Sequence, residues 1–132
     1  MINVLIVDDY KLIRDAYKRT LMDEADMNVS GEAENAIEAF DLLKDTQTDI
    51  VLMDIIMPGL NGIDALKIIK VQHPTVPVLM VSALSEVIYV KKSIEAGAAG
   101  FVNKENAYEE LIIAIRKVVA GDIFISTDFQ NN

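Results

Sequence analysis

Two acids stand side by side at Asp8 and Asp9, a third stands at Asp54, a hydroxyl at Ser82 and an amine at Lys104. Each ends a short, mostly apolar run: "VLIV" before the pair, "IVLM" before Asp54, "VPVLMV" before Ser82 and "FVN" before Lys104. Carboxylates held close together repel one another, and a desolvated one is costly unless it is paired. Three of them call for a cation, and oxygen-only donors favour a hard one. Magnesium typically takes one or two carboxylates, several waters and phosphate oxygens. A carboxylate beside such an ion can attack phosphorus and form an acyl phosphate. The remaining catalytic work is positioning and charge neutralisation. Lys104 suits the neutralisation, and Ser82 can donate a hydrogen bond.

For that chemistry the five residues must meet, so the elements carrying them matter. Apolar runs at Asn3–Val7, Met27–Ser30, Ile50–Met53, Val76–Val81 and Phe101–Val102 alternate with amphipathic stretches. Continuous apolar runs fit strands buried on both faces. Helical spacing recurs at Ile37, Phe40 and Leu43, at Ile63, Leu66 and Ile69, and more thinly at Val87, Val90 and Ile94. Leu111, Ala114, Ile115, Val118 and Val119 give the clearest stripe, opened by an Asn106–Glu109 capping box and stopped at Gly121. The pattern predicts an α/β fold: a doubly wound, five-stranded parallel sheet of the flavodoxin-like (βα)5 type. In such sheets ligands bind beyond the carboxyl ends of the strands, near the point where strand order reverses. Asp8, Asp9, Asp54, Ser82 and Lys104 all fall at that rim. One Asp after a strand is usually a turn or cap residue; five residues of complementary chemistry on one rim are not explained that way.

The 132 residues suit one domain, and an apolar fraction of 52% is ample for its core. A net charge of -9 excludes nucleic-acid binding by phosphate neutralisation. No apolar run reaches the roughly 18 residues of a membrane span, no leader is visible and cysteine is absent, so a cytoplasmic location is expected.

The segments "VDD", "MDIIMPGLNG", "VSA" and "FVNK", in that order and spacing, resemble the receiver domain of bacterial two-component response regulators. The endings "AGAAGFVNK" and "AGDIFIS" resemble the NarL/LuxR-type subgroup. The resemblance runs from Ile2 to about Ser126. It implies a receiver domain over residues 1–125 and the start of a linker at 126–132. A C-terminal helix-turn-helix domain is then missing from this sequence, which favours an excised receiver over a stand-alone one. The resemblance implies Asp54 as phosphoacceptor. It implies Asp8, Asp9, Asp54 and the backbone carbonyl of Ile56 as magnesium ligands, and Lys104 and Ser82 as phosphoryl contacts. Phe101 becomes an aromatic switch residue coupled to Ser82, and Ile56 and Leu84 flank the path of the hydrolytic water. The partner would be a sensor histidine kinase or phosphotransfer protein. The output surface would be the fourth helix, fifth strand and fifth helix, roughly Leu84 to Ala120, with a homodimer on phosphorylation left open. Two residues depart from the pattern: Tyr10 stands where the subgroup often has His, and Glu105 where many receivers have Pro, so the isomer of the Lys104–Glu105 bond stays open.

Plainer readings stand beside these. From the residues alone Phe101 reads better as core, and only the resemblance favours the switch reading. His73, before Pro74, reads as a helix end, and the six methionines as gap-fillers. A magnesium-dependent phosphohydrolase of the aspartyl-nucleophile type is the competing function. It usually spaces two acids two residues apart on the first strand, whereas Asp8 and Asp9 are adjacent. A receiver-like scaffold that takes no phosphate would not need all five residues.

Overall fold

The structure, a computed structural model, describes residues 1–84 and 86–129. Strands and helices alternate: β1 Ile2–Val7, α1 Lys11–Met22, β2 Met27–Ala33, α2 Ala36–Asp45, β3 Ile50–Met53, α3 Gly62–Gln72, β4 Val78–Ser82, α4 Val87–Glu95, β5 Gly100–Asn103, α5 Ala107–Val119 and β6 Phe124–Ile125. The strands form one sheet in the order β2-β1-β3-β4-β5-β6, and every neighbouring pair is parallel. Strand order reverses between β1 and β3, so Asp8–Asp9 and Asp54 emerge side by side there.

The sheet has six strands where five are expected. β6 is only two residues long and carries no readable alternation, so nothing local marks it. Its backbone extends the ladder, with Gly100 opposite Phe124 and Phe101 opposite Ile125. β2 also runs past Ser30, because Gly31, Glu32 and Ala33 pair with Leu5, Ile6 and Val7 beyond a register shift.

β3, β4 and β5 are buried throughout, as their apolar runs require. Alternate residues feed two cores. Leu5, Val51, Met53, Met80 and Phe101 face α2, α3 and α4, while Val4, Ile6, Leu52, Val81 and Val102 face α1 and α5. Burying each such side chain stabilises the fold by about 1.5–3 kcal/mol.

The helical stripes hold with two corrections. α2 buries Ala36, Ala39 and Leu43, which rotates Ile37 outward to 65% exposure. α5 buries Leu111, Ala114, Ile115 and Val118, but Val119, in its last turn, is exposed. α1, for which no stripe was expected, buries Tyr17 and Leu21. The expected capping box also moves. Asn106 makes no side-chain cap to α5; instead Asn103 accepts from Glu105 N, at the start of a 3-10 turn over Lys104–Asn106. That turn takes the chain from β5 into α5 and absorbs the first-turn requirement. Gly121, with φ +100, ends α5 as expected, and His73 caps the end of α3. No cis peptide bond occurs among the described residues. No described helix is long and apolar enough to cross a membrane.

Candidate functional site

Each acid is fixed by the element it terminates. Asp8 N donates to Ala33 O at 3.0 Å and Asp54 N to Val7 O at 3.1 Å, so the ladder holds both residues one step beyond their strands. Asp8 Oδ1 accepts from Tyr10 N at 2.9 Å, and Asp54 Oδ1 accepts from Ile55 N at 2.8 Å. Asp8 and Asp54 are buried, with 1% and 6% exposure. One carboxylate oxygen from each of Asp8, Asp9 and Asp54 lies within 4.8 Å of the others.

Lys104 closes the cluster. Its Nζ lies 2.8 Å from Asp8 Oδ2 in an ion pair, and it donates to Asp54 Oδ2 at 3.0 Å. The two carboxylates outweigh burial and hold the lysine pKa above its ordinary value, so the amine stays charged. For Asp54 the balance goes the other way. Burial pushes its carboxyl up, Lys104 opposes this, and the Asp8 charge adds to the rise. Three carboxylates against one ammonium leave a net deficit of positive charge at the rim. Asp9 Oδ1 is buried there with no hydrogen-bond partner among the described residues. An orphaned carboxylate oxygen in an under-neutralised, all-oxygen cluster is the donor chemistry that a hard divalent cation fits.

Ser82 ends β4 opposite Asn103 of β5 and is 1% exposed, and its Oγ accepts from Leu84 N at 3.1 Å. It reaches the same rim without touching the acid cluster directly. Phe101 is away from the acids. It is fully buried in β5, in edge-to-face contact with Phe129 at a centroid distance of 5.6 Å. Ile56 and Leu84 line one cavity of about 730 Å³ between α3 and α4, with Ile56 63% exposed.

Of three further residues that shape the site, two carry no sequence signal of their role. Arg14 Nη1 donates to Asp8 O at 2.7 Å while its Nε pairs with Glu32 at 3.0 Å, fixing the backbone between the two first-strand acids. Tyr17 reaches the site from α1. Burial first, then the Asp8 and Asp54 charges, push its phenol up, so it stays protonated. Gly62 opens α3 against the backbone of Asp54 and donates to Ile55 O at 2.7 Å. Only Gly62 sat in a recognisable motif, the Asn61-Gly62 pair. Asn61 caps the helix there, accepting from Ile63 N and Asp64 N.

Residues 4–116 match the family model described as the response regulator receiver domain. The chain belongs to the receiver family. Its relatives include response regulator GacA of Pseudomonas aeruginosa, 36% identical over 96% of this chain, and response regulator UvrY of Escherichia coli K12, 38% identical over 97%. The receiver chain spans 59% of the length of each of these relatives. A LuxR-family two-component response regulator from Aurantimonas sp. SI85-9A1 superposes with a TM-score of 0.94 at 32% identity, over 98% of this chain and 92% of that one. The isolated receiver domain of RcsB from Salmonella enterica serovar Typhimurium superposes at 0.92 with 22% identity over 98% of this chain and 96% of that one, a likeness of fold. This receiver is thus of the NarL/LuxR type. Response regulators are signalling proteins rather than turnover enzymes, and receiver domains in general bind magnesium.

Proposed function

We propose that this receiver accepts a phosphoryl group on Asp54 from a phosphohistidine of a sensor kinase or phosphotransfer protein, and that the product switches a transcriptional output. The observation that carries the reading is the cluster of Asp8, Asp9 and Asp54 closed by Lys104 at the strand-order reversal. Asp8, Asp9, Asp54 and the backbone carbonyl of Ile56 would hold magnesium, which when bound supplies positive charge to phosphoryl oxygens.

The chain's own groups do the rest. An Asp54 carboxylate oxygen attacks phosphorus. The P–O bond forms as the P–N bond breaks, and the electron pair returns to the imidazole nitrogen, which takes up a proton. Lys104, already charged, moves its hydrogen bond from the carboxylate to a phosphoryl oxygen. Ser82 Oγ accepts from Leu84 N, which leaves its own proton to donate to the phosphoryl group. Phe101, on the neighbouring strand, then carries the change toward the surface formed by α4, β5 and α5.

The direct test is intact-protein mass after incubation with magnesium and a small acyl phosphate. One phosphoryl increment is expected, mapped to the peptide containing Asp54 and abolished by chelating the metal. An increment on any other residue would remove the reading. A second expectation concerns the metal alone. Magnesium should bind the native cluster and not the unfolded chain, so millimolar magnesium should raise the melting temperature. An unchanged melting temperature would mean that the three acids do not form one metal site.

Lifetime is set by access of water opposite the acyl bond. Ile56 and Leu84 present apolar bulk to one cavity and can neither donate nor accept a hydrogen bond through their side chains. Slow self-dephosphorylation is therefore expected. The double variant Ile56→Asn, Leu84→Glu should decay about tenfold faster, a barrier change of about 1.4 kcal/mol. Decay at the parent rate or slower, in the same magnesium, counts against the role of these two side chains.

A further inference from the structure

The chain after α5 does more than leave the domain. β6 pairs with β5, and the backbone stays engaged to Phe129: Phe124 N donates to Ala99 O at 3.2 Å, Ser126 N to Phe101 O at 2.9 Å, and Phe129 N to Ser126 O at 3.0 Å. Two phenylalanines grip the sheet edge from opposite sides. Phe124 belongs to the core under α1 and α5, whereas Phe129 belongs to the core under α2, α3 and α4, where it meets the ring of Phe101.

Between them lies a buried polar knot. Ser126, fully buried, accepts from Asn103 N at 2.8 Å and donates to Glu110 Oε1 at 2.6 Å. Glu110, a carboxylate 8% exposed on α5, also accepts from Thr127 N at 3.2 Å. The fit is close enough that a Cβ on Gly100 would lie 2.4 Å from Phe124 O. A solvated linker would need none of this. A buried carboxylate saturated by one short segment is lost as a unit when that segment leaves.

The knot touches the site through one residue. Asn103 N, held by Ser126, immediately precedes Lys104, whose Nζ bridges Asp8 and Asp54. A phosphoryl group on Asp54 extends beyond the carboxylate, so Lys104 must follow it outward. A pull on Lys104 would draw the end of β5 against the Ser126 seat, and Phe101 lies on that same strand. Hydrogen bonds of this kind weaken steeply with small displacements.

We propose that Phe124–Phe129 is a latch on β5, closed while Asp54 is unmodified and loosened by its phosphorylation, and that it passes the state of the site to the chain beyond. This rests on Asp54 being the phosphoacceptor. Coupling of this kind is reciprocal: whatever loosens the latch must favour the occupied site by the same factor.

Amide hydrogen exchange tests it, with the label on Asp54 followed by mass in the same samples. In labelled protein the Ser126 and Phe129 amides should exchange about tenfold faster than in unlabelled protein. Phe129→Ala and, separately, Ser126→Ala should show that faster exchange without any label. Both should also bind beryllofluoride with magnesium about tenfold more tightly than the parent. Full labelling of Asp54 with unchanged exchange over residues 124–129 overturns the latch and leaves the phosphoacceptor reading standing. So do variants that exchange faster but bind beryllofluoride as the parent does. Absence of any label on Asp54 overturns the phosphoacceptor reading, and the latch with it.

Discussion

Asp54→Asn should lose all phosphoryl labelling and, without metal, unfold at a higher temperature than the parent. The two effects have opposite signs because one group serves both. For chemistry, the amide oxygen is a poor nucleophile toward phosphorus and cannot give a stable acyl phosphate. Asp8 and Asp9 remain in the variant, so it also tests whether either neighbouring acid can take the phosphoryl group in place of Asp54. Labelling of the variant at the parent level would remove Asp54 from the reaction.

For stability, magnitudes decide. At an effective dielectric of about 20, like charges at the cluster's 4.8 Å limit repel by roughly 3.5 kcal/mol per pair. Asp54 faces two such acids, Asp8 and Asp9. Lys104 at 3.0 Å returns roughly 5.5 kcal/mol. Repulsion wins by about 1–2 kcal/mol, and desolvation of the buried carboxylate adds to the cost. The Asp54 pKa is also raised, and there burial is the first cause, with Lys104 opposing it more strongly than the Asp8 charge adds to it. The native state holds this proton more tightly than the unfolded chain, so stability falls as pH rises from the ordinary value of 3.8 through the raised one. The advantage of Asp54→Asn is therefore full above that window and shrinks as pH is lowered through it. Magnesium should stabilise the parent more than the variant, which has lost one of the proposed ligands. A variant less stable than the parent at neutral pH without metal would show that Lys104 already neutralises the cluster.

The acids were legible in the sequence because strand ends are legible. Buried parallel strands are written as apolar runs, and the residue after each run lands on the ligand-binding rim whatever the details of packing. That is why Asp8, Asp9, Asp54 and Lys104 fall together. What failed to show has no local period or depends on distant partners. β6 is too short to alternate. Ser126 and Phe129 read as linker because their partners, Glu110 and Phe101, lie 16 and 28 residues earlier in the chain. Ile37 is an apolar residue turned to solvent, which periodicity counts as core until the neighbouring alanines are seen to pack instead. Asn103 and Asn106 are equally good caps in composition, and the 3-10 turn between them selects the first.

Gly62→Ala should be among the most damaging single-methyl additions available in this chain, at about 4 kcal/mol or more. The position has an ordinary helical role, so left-handed backbone does not explain its glycine. Space does. A Cβ there would stand 1.8 Å from Asp54 O, 2.8 Å from Asp54 C and 2.9 Å from the Cα of Ile55. All three atoms are backbone, so no side chain can swing away. Overpacking that flexible neighbours can absorb costs about 1–3 kcal/mol, and losses above about 4 mark a backbone that must move. Relief would require α3 to retreat from β3. That would strain the 2.7 Å bond from Gly62 N to Ile55 O and shift the peptide that aims the Asp54 carboxylate. Gly59 is the internal control. It has φ +79 and nothing within 4 Å of an added Cβ, so Gly59→Ala costs only the left-handed penalty of about 1–2 kcal/mol. Urea unfolding of the two variants should separate them by at least about 2 kcal/mol. The part of Gly62→Ala that remains folded should respond less to magnesium than Gly59→Ala does, because the displaced peptide carries the Asp54 carboxylate proposed to hold the ion. Equal losses in the two variants would mean that α3 can move off β3 freely, and that Gly62 does not hold Asp54 in place.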